Sequence, residues 1–162
     1  MEAIILCGIQ ASGKTTFCRE RFFETHIRIN LDMLRTRHRE RLLVEACLAA
    51  KQPFVVDNTN PTRADRARYI AAAKAAGFQI VGYYFQSRIE DCMRRNEART
   101  SAQVIPARGI TAAHRRLEVP SMDEGFEALY YVRIDEGGAF MVEVCTGSLA
   151  GLLEREARDA GP

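Results

Sequence analysis

The 162-residue chain contains no apolar run approaching the roughly 20 residues that a membrane-spanning helix requires. Its opening, MEAIILCG, lacks the basic segment and the small-residue cleavage site of a secretory signal, and the run AIILC is too short for the apolar part of one. The expectation is a cytoplasmic protein with no membrane partner. There is no CxxC pair either. Cys7, Cys18, Cys47, Cys92 and Cys145 are odd in number and widely scattered, which predicts neither a disulfide framework nor a zinc site. Cys7 and Cys18 flank the first loop and need no role beyond packing, though that position could make either thiol sensitive to oxidation. Internal repeats, low-complexity tracts and linker-like stretches are missing too, so the length predicts one domain around one core. Lysine is scarce: Lys14, Lys51 and Lys74 are three of the 23 basic residues, leaving 20 arginines. The net charge of +2 is too small to argue for nucleic acid by itself.

What is present is a soluble-protein composition, 47% apolar and 27% charged, arranged as alternating strand-like and helix-like segments. AIILC (3–7), HIRIN (26–30), QPFVVD (52–57), FQIVGYYF (78–85) and ALYYVRI (128–134) are strand candidates, and GAFMVEVC (138–145) is a candidate edge strand. Helices are expected over 14–23, 32–50, 88–99 and 110–117, with SLAGLLEREARD (148–159) as a terminal one. Between 60 and 77, Asn60 suits an N-cap, Pro61 the first helical position and Gly77 the stop. This alternation predicts an α/β fold whose parallel sheet is covered on both faces and whose ligands sit beyond the carboxyl ends of the strands.

Gly8, Gly13, Lys14 and Thr15 fit GxxxxGK[ST] between a strand and a helix, the setting a phosphate-binding P-loop requires. The alternative is a glycine-rich turn without a ligand. The glycines allow successive N–H groups to converge on a phosphate, and the lysine adds charge. Each hydrogen bond to a charged acceptor is worth about 1.5 to 3 kcal/mol, more than the helix dipole at about 0.3 to 1 kcal/mol. Gly8, Ile9, Gln10, Ala11, Ser12, Gly13, Lys14, Thr15 and Thr16 are therefore the candidate nucleotide-binding residues, with a nucleoside triphosphate as ligand, its base left open, and the Thr15 hydroxyl directed at Mg²⁺. The fold expected is the three-layer P-loop NTPase of nucleoside-kinase-like type, with a five-stranded parallel sheet.

Three further stretches follow strands. Asp32 stands after the second, where a carboxylate can take the proton of an attacking hydroxyl or merely cap a helix. Asp57 closes the third and could order the magnesium. Arg35, one turn beyond Asp32, could hold an anionic acceptor or be an ordinary surface arginine. Residues 88–116 carry seven arginines against three acids, the composition of a lid over the phosphates or of a solvated basic face. Arg95 and Arg99, four apart, share one side of its helix.

Taken together, GIQASGKTTF, NLD at 30–32, DNTNPTRADRARYIAAAKAAG at 57–77, RNEAR at 95–99 and LEVPSMDEGFEALYYVRI at 117–134 resemble the kinase domain of polynucleotide kinases, which phosphorylate 5′-hydroxyl ends. The resemblance implies Asp32 as general base, Arg99 as the arginine on the donor phosphates, and Arg35 on the acceptor's phosphate. Asn58, Asn60 and Arg63 would shape the acceptor side. One departure is Leu31, where the family often has arginine. The expected activity is ATP-dependent transfer to a nucleic acid 5′-hydroxyl. The rivals are a kinase of a small metabolite or nucleotide sugar and a non-catalytic ATP-binding module.

Overall fold

A computed structural model of the chain describes residues 1–146, 149 and 151–154. Strand β1 (Glu2–Cys7) lies at the centre of the sheet because both its faces are apolar. Ala3, Ile5 and Cys7 pack on one side with Ile29, Phe54, Val56, Tyr69 and Ala73, while Ile4 and Leu6 pack on the other with Phe17, Cys18 and Val55. The strand's two-residue period thus feeds two separate cores. With β2 (Ile27–Ile29), β3 (Phe54–Val56), β4 (Gln79–Phe85), β5 (Ala128–Ile134) and β6 (Phe140–Val144), the order is β2-β3-β1-β4-β5-β6. The first five strands are parallel, with Ile4 opposite both Val55 and Val81. β6 is antiparallel to β5, Val132 facing Val142, and supplies the expected edge strand. The fold is the α/β sheet flanked by helices that the sequence predicts.

Helix α1 (Lys14–Arg21) covers one face of the sheet through Phe17, whose ring meets Phe85 and Phe140 edge-on at 5.3 and 5.2 Å. The segment expected as one helix over 32–50 is two. A short α2 (Leu31–Leu34) ends at Arg35, whose φ of 71° is left-handed, and α3 (Arg37–Ala49) starts afresh with the Thr36 side chain accepting from Arg39 N. The apolar pattern of Leu34, Leu42 and Val44 runs across this break and conceals it. Helix α4 (Arg63–Ala75) also starts later than expected. Thr62 is its cap, bonded reciprocally to Asp65, and Asn60 lies outside the helix in a left-handed conformation. Gly77, with φ of 76°, follows the end of α4 as predicted.

Beyond β4, α5 (Ile89–Glu97) and α6 (Ala107–Arg116) form a hairpin-like pair. α5 is trimmed at both ends from the expected 88–99, and α6 begins three residues before Ile110, with Pro106 at its cap. Of the terminal helix expected at 148–159, residues 149 and 151–154 are helical and the remainder lies outside the described residues. Leu149 is buried in the core that α3 and α4 cover. No helix among the described residues is long and apolar enough to cross a membrane.

Candidate active site

The carboxyl ends of β1, β2, β3 and β4 bring four loops to one rim of the sheet. The first runs from Gly8 to Gly13 and needs unusual backbone angles: Gly8, Ala11 and Gly13 have φ of 150°, 62° and 100°. Gly13 is also hemmed in. A Cβ there would lie 2.9 Å from Ile134 Cδ1 and 3.0 Å from Phe140 Cε1, and at its φ of 100° any side chain would be strained. Lys14 is buried and turned back along the loop, donating to Gly8 O at 2.9 Å, Ile9 O at 2.7 Å and Ser12 Oγ at 3.4 Å. Burial brings its pKa down to about 8, against the opposing pull of Asp57 and with a smaller push in the same direction from Arg99. Among the described residues, Gln10 Oε1 is buried without a hydrogen-bond partner, and Thr16 is exposed.

The stretch Asp57–Asn60 is the hub of the site, tied to β1, to both ends of the first loop and to the helices after β2. Asp57 Oδ2 accepts from Thr15 Oγ1 at 2.9 Å. Asn58 Oδ1 accepts from Leu31 N at 2.8 Å, and its amide donates to Glu40 Oε1 at 2.7 Å. Thr59 O accepts from Gly8 N at 3.0 Å. The buried Asn60 amide donates to Leu6 O at 2.8 Å, its left-handed backbone turning the side chain under β1. Asn58 and Asn60 therefore brace the site from below, and Asn60 is sealed from any acceptor. Arg63 is engaged elsewhere too, on Asp123 Oδ2 at 2.9 Å, while its N–H meets Glu118.

Asp32 lies in the first turn of α2, exposed at the end of β2. The cap of that helix is Asn30, whose Oδ1 accepts from Met33 N at 3.0 Å, so capping is not the duty of Asp32. Its carboxylate has no hydrogen bond or ion pair among the described residues. Arg35 ends α2 with its N–H on Leu31 O at 2.7 Å and its side chain exposed. A left-handed conformation in a non-glycine residue is uncommon and costs on the order of 1 kcal/mol, which the packed surroundings must sustain.

The 88–116 segment reaches the first loop by two means. Ile9 and Ala11 pack with Cys92 and Ile110, and Arg95 Nη1 donates to Ala11 O at 3.2 Å. Arg99 is half-buried beyond the end of α5, with no side-chain partner among the described residues, near enough to Lys14 to act on its charge. Arg94, by contrast, points out and pairs with Asp91.

Three contributors were not foreseen from sequence. Arg28, in β2, places Nε at 2.8 Å and Nη2 at 2.7 Å from Asp57 Oδ2. Ser87, after β4, accepts from Ile9 N at 3.2 Å. Arg66, fully buried, makes a two-pronged pair with Glu124 at 2.7 Å on each arm and donates to Asn60 O at 3.1 Å, clamping the hub from behind. For Arg66 the hint was the motif DRARY, which places a guanidinium on the buried face of α4 beside Tyr69 and Ile70. Cys7 and Cys18 are both buried, and burial pushes their thiols up to about 12 and 11, which fits packing rather than sensitivity to oxidation.

The oxygens of Thr15 and Asp57 are hard donors of the kind Mg²⁺ prefers, and a single carboxylate suits a metal that keeps most of its other ligands as water and phosphate. Among the described residues no cluster of three or more His, Cys, Asp or Glu side chains offers a metal cage of its own.

Residues 4–120 match a family described as AAA domain. The bifunctional polynucleotide phosphatase/kinase of Schizosaccharomyces pombe is 27% identical over 129 residues, a match that takes in 77% of this chain and 32% of that enzyme. The chain thus spans about a third of that relative's length. Among solved structures, Kti12 of Chaetomium thermophilum in complex with ADP-AlF3 superposes with a TM-score of 0.60 at 19% identity, covering 84% of this chain and 92% of that one. A gluconokinase of Sinorhizobium meliloti gives 0.55 at 18%, covering 94% and 87%. These are likenesses of fold.

Proposed function

The chain belongs to the AAA domain family, as a P-loop kinase-like member, and from that premise we propose that it moves the γ-phosphoryl group of ATP to the 5′-hydroxyl end of a polynucleotide. The observation that carries the reading is the release of Asp32 from helix capping by Asn30, which leaves an unengaged carboxylate at the end of β2. Asp32 takes the proton of the acceptor hydroxyl as its oxygen bonds to the γ-phosphorus, and the bond from that phosphorus to the β,γ-bridging oxygen breaks. Lys14 and the loop amides bind the β and γ phosphates, exchanging the lysine's present carbonyl partners for phosphate oxygens. Arg99, just past the end of α5, which Arg95 anchors to Ala11, stabilises the charge spread over the transferring group. Thr15 and Asp57 would hold Mg²⁺, which when bound neutralises charge on those phosphates. Arg35 faces the acceptor's own phosphate, and residues 88–116 act as the lid.

The choice of a polynucleotide over a small alcohol rests on the relative from S. pombe, whose name joins polynucleotide phosphatase and kinase. The test supplies γ-labelled ATP with a 5′-hydroxyl oligonucleotide, with a panel of small alcohols including gluconate, or with no acceptor. Label on the oligonucleotide supports the proposal. Label on a small alcohol alone overturns the acceptor, and label on neither, with ATP bound, overturns the transferase. Replacing Asp32 by Ala should lower kcat by about 10²- to 10⁴-fold while ATP affinity stays within a factor of two.

A further inference from the structure

Arg28 is a strand residue whose neighbour Ile29 is buried against α3 and α4, and the alternation of β2 turns Arg28 to the opposite face, toward α1. There its two nitrogens and the Thr15 hydroxyl all converge on the same oxygen, Asp57 Oδ2, at 2.8, 2.7 and 2.9 Å. Oδ1 receives no hydrogen bond among the described residues. The Asp57 side chain is 1% exposed and that of Arg28 34%, so the carboxylate is fixed while the guanidinium sits at the edge of the solvent.

A buried carboxylate left alone would attract a dication, whereas one already paired with a guanidinium presents no net charge and adds repulsion to any metal that approaches. We propose that Arg28 is a resident counter-ion of Asp57 that keeps free Mg²⁺ from binding at Thr15 and Asp57, so that metal enters only together with the nucleotide. The triphosphate brings the negative charge that the paired carboxylate lacks, while Arg28 keeps Oδ2. The inference rests on the assignment of Thr15 and Asp57 to Mg²⁺ made above.

The experiment compares thermal melting of the wild-type chain, Arg28→Gln, Asp57→Asn and the double variant, each with MgCl₂ alone and with MgCl₂ plus a non-hydrolysable ATP analogue. MgCl₂ alone should leave the wild-type midpoint unchanged and raise that of Arg28→Gln by about 3 °C or more, because the metal takes over the task of compensating Asp57. The rise should vanish in the double variant. A folded Arg28→Gln protein that ignores MgCl₂, or a wild-type chain that responds as strongly, overturns the counter-ion role. If Arg28→Gln does not fold, Arg28→Met, which removes the charge and keeps an apolar stem, should show the same rise, and a folded Arg28→Met protein that ignores MgCl₂ overturns the role equally. Analogue binding by Asp57→Asn with wild-type Mg²⁺ dependence would instead overturn the metal assignment itself, and the counter-ion role with it.

Discussion

Asn58 accepts from Leu31 N at 2.8 Å while donating to Glu40 Oε1 at 2.7 Å, so a single amide joins the loop after β3 to both helices after β2. Glu40, nearly buried, also accepts from Tyr69 Oη at 2.9 Å and from Arg37 Nη1 at 2.7 Å. Asp32 stands one residue beyond Leu31, and its position therefore depends on this network. Replacing Asn58 by Ala should lower kcat by about tenfold and stability by about 1 to 3 kcal/mol, since Glu40 loses a partner and Leu31 N–H is left unpaired. Measuring kcat beside the melting midpoint separates this from Asp32→Ala, which should cost activity without comparable loss of stability.

Lys14 predicts a proton signature. Its pKa is near 8 in the folded chain against 10.5 for an ordinary lysine. Between those values the unfolded chain binds more protons than the folded one, so the cost of burying the charge is full below pH 8 and is relieved as pH rises toward 10.5. A bound polyphosphate favours the ammonium and raises its pKa, so nucleotide binding near pH 9 should be accompanied by proton uptake. Calorimetry in buffers of different ionisation enthalpy should find uptake of up to about one proton, absent in Lys14→Met.

Arg66 and Glu124 form a buried pair whose halves are 58 residues apart in sequence. Burial disfavours the Arg66 charge, but the Glu124 hydrogen bonds and nearby negative groups outweigh it and raise the pKa. Removing one partner should cost about 3 to 5 kcal/mol. Denaturant unfolding of Arg66→Met and Glu124→Leu should each show that loss, and the double variant should recover a large part of it.

Arg99 and Arg94 lie on the same segment but have different surroundings. Arg99→Ala should lower kcat by about 10²-fold or more, as expected for loss of a group that stabilises transition-state charge. Arg94→Ala, which removes only an exposed pair with Asp91, should leave kcat within a factor of two. Steady-state kinetics of the two variants side by side checks the contrast.

The parallel sheet and the phosphate loop were legible because they rest on local signals. The apolar run of β1 is bounded by Gly8, Gly13 and Lys14 keep fixed spacing, and Gly77 closes α4 where the chain must turn left-handed. The break between α2 and α3 was not, because apolar periodicity continues through Arg35 and only the competing side chains of Asn30 and Thr36 reveal two starts. Asn60 looked like a cap because proline followed it, yet Thr62 offered a hydroxyl at the better position, with Asp65 three residues on to return the bond. Nothing local in the sequence pairs Arg28 or Arg66 with a carboxylate. Their partners Asp57 and Glu124 are brought to them by strand pairing and by the return of residues 118–124, distances in sequence that no periodicity reports.

The family match ends at residue 120, but the residues packed around the start of α1 include some beyond it. Gly13 is pressed by Ile134 and Phe140, and Phe140 also stacks edge-on against Phe17. The antiparallel β6 therefore forms part of the wall against which the phosphate loop is shaped. A lineage that altered Phe140 would change its grip on nucleotides without touching a single residue of the binding motif, and a fragment cut at residue 120 would keep the signature while losing the surface that holds it in shape.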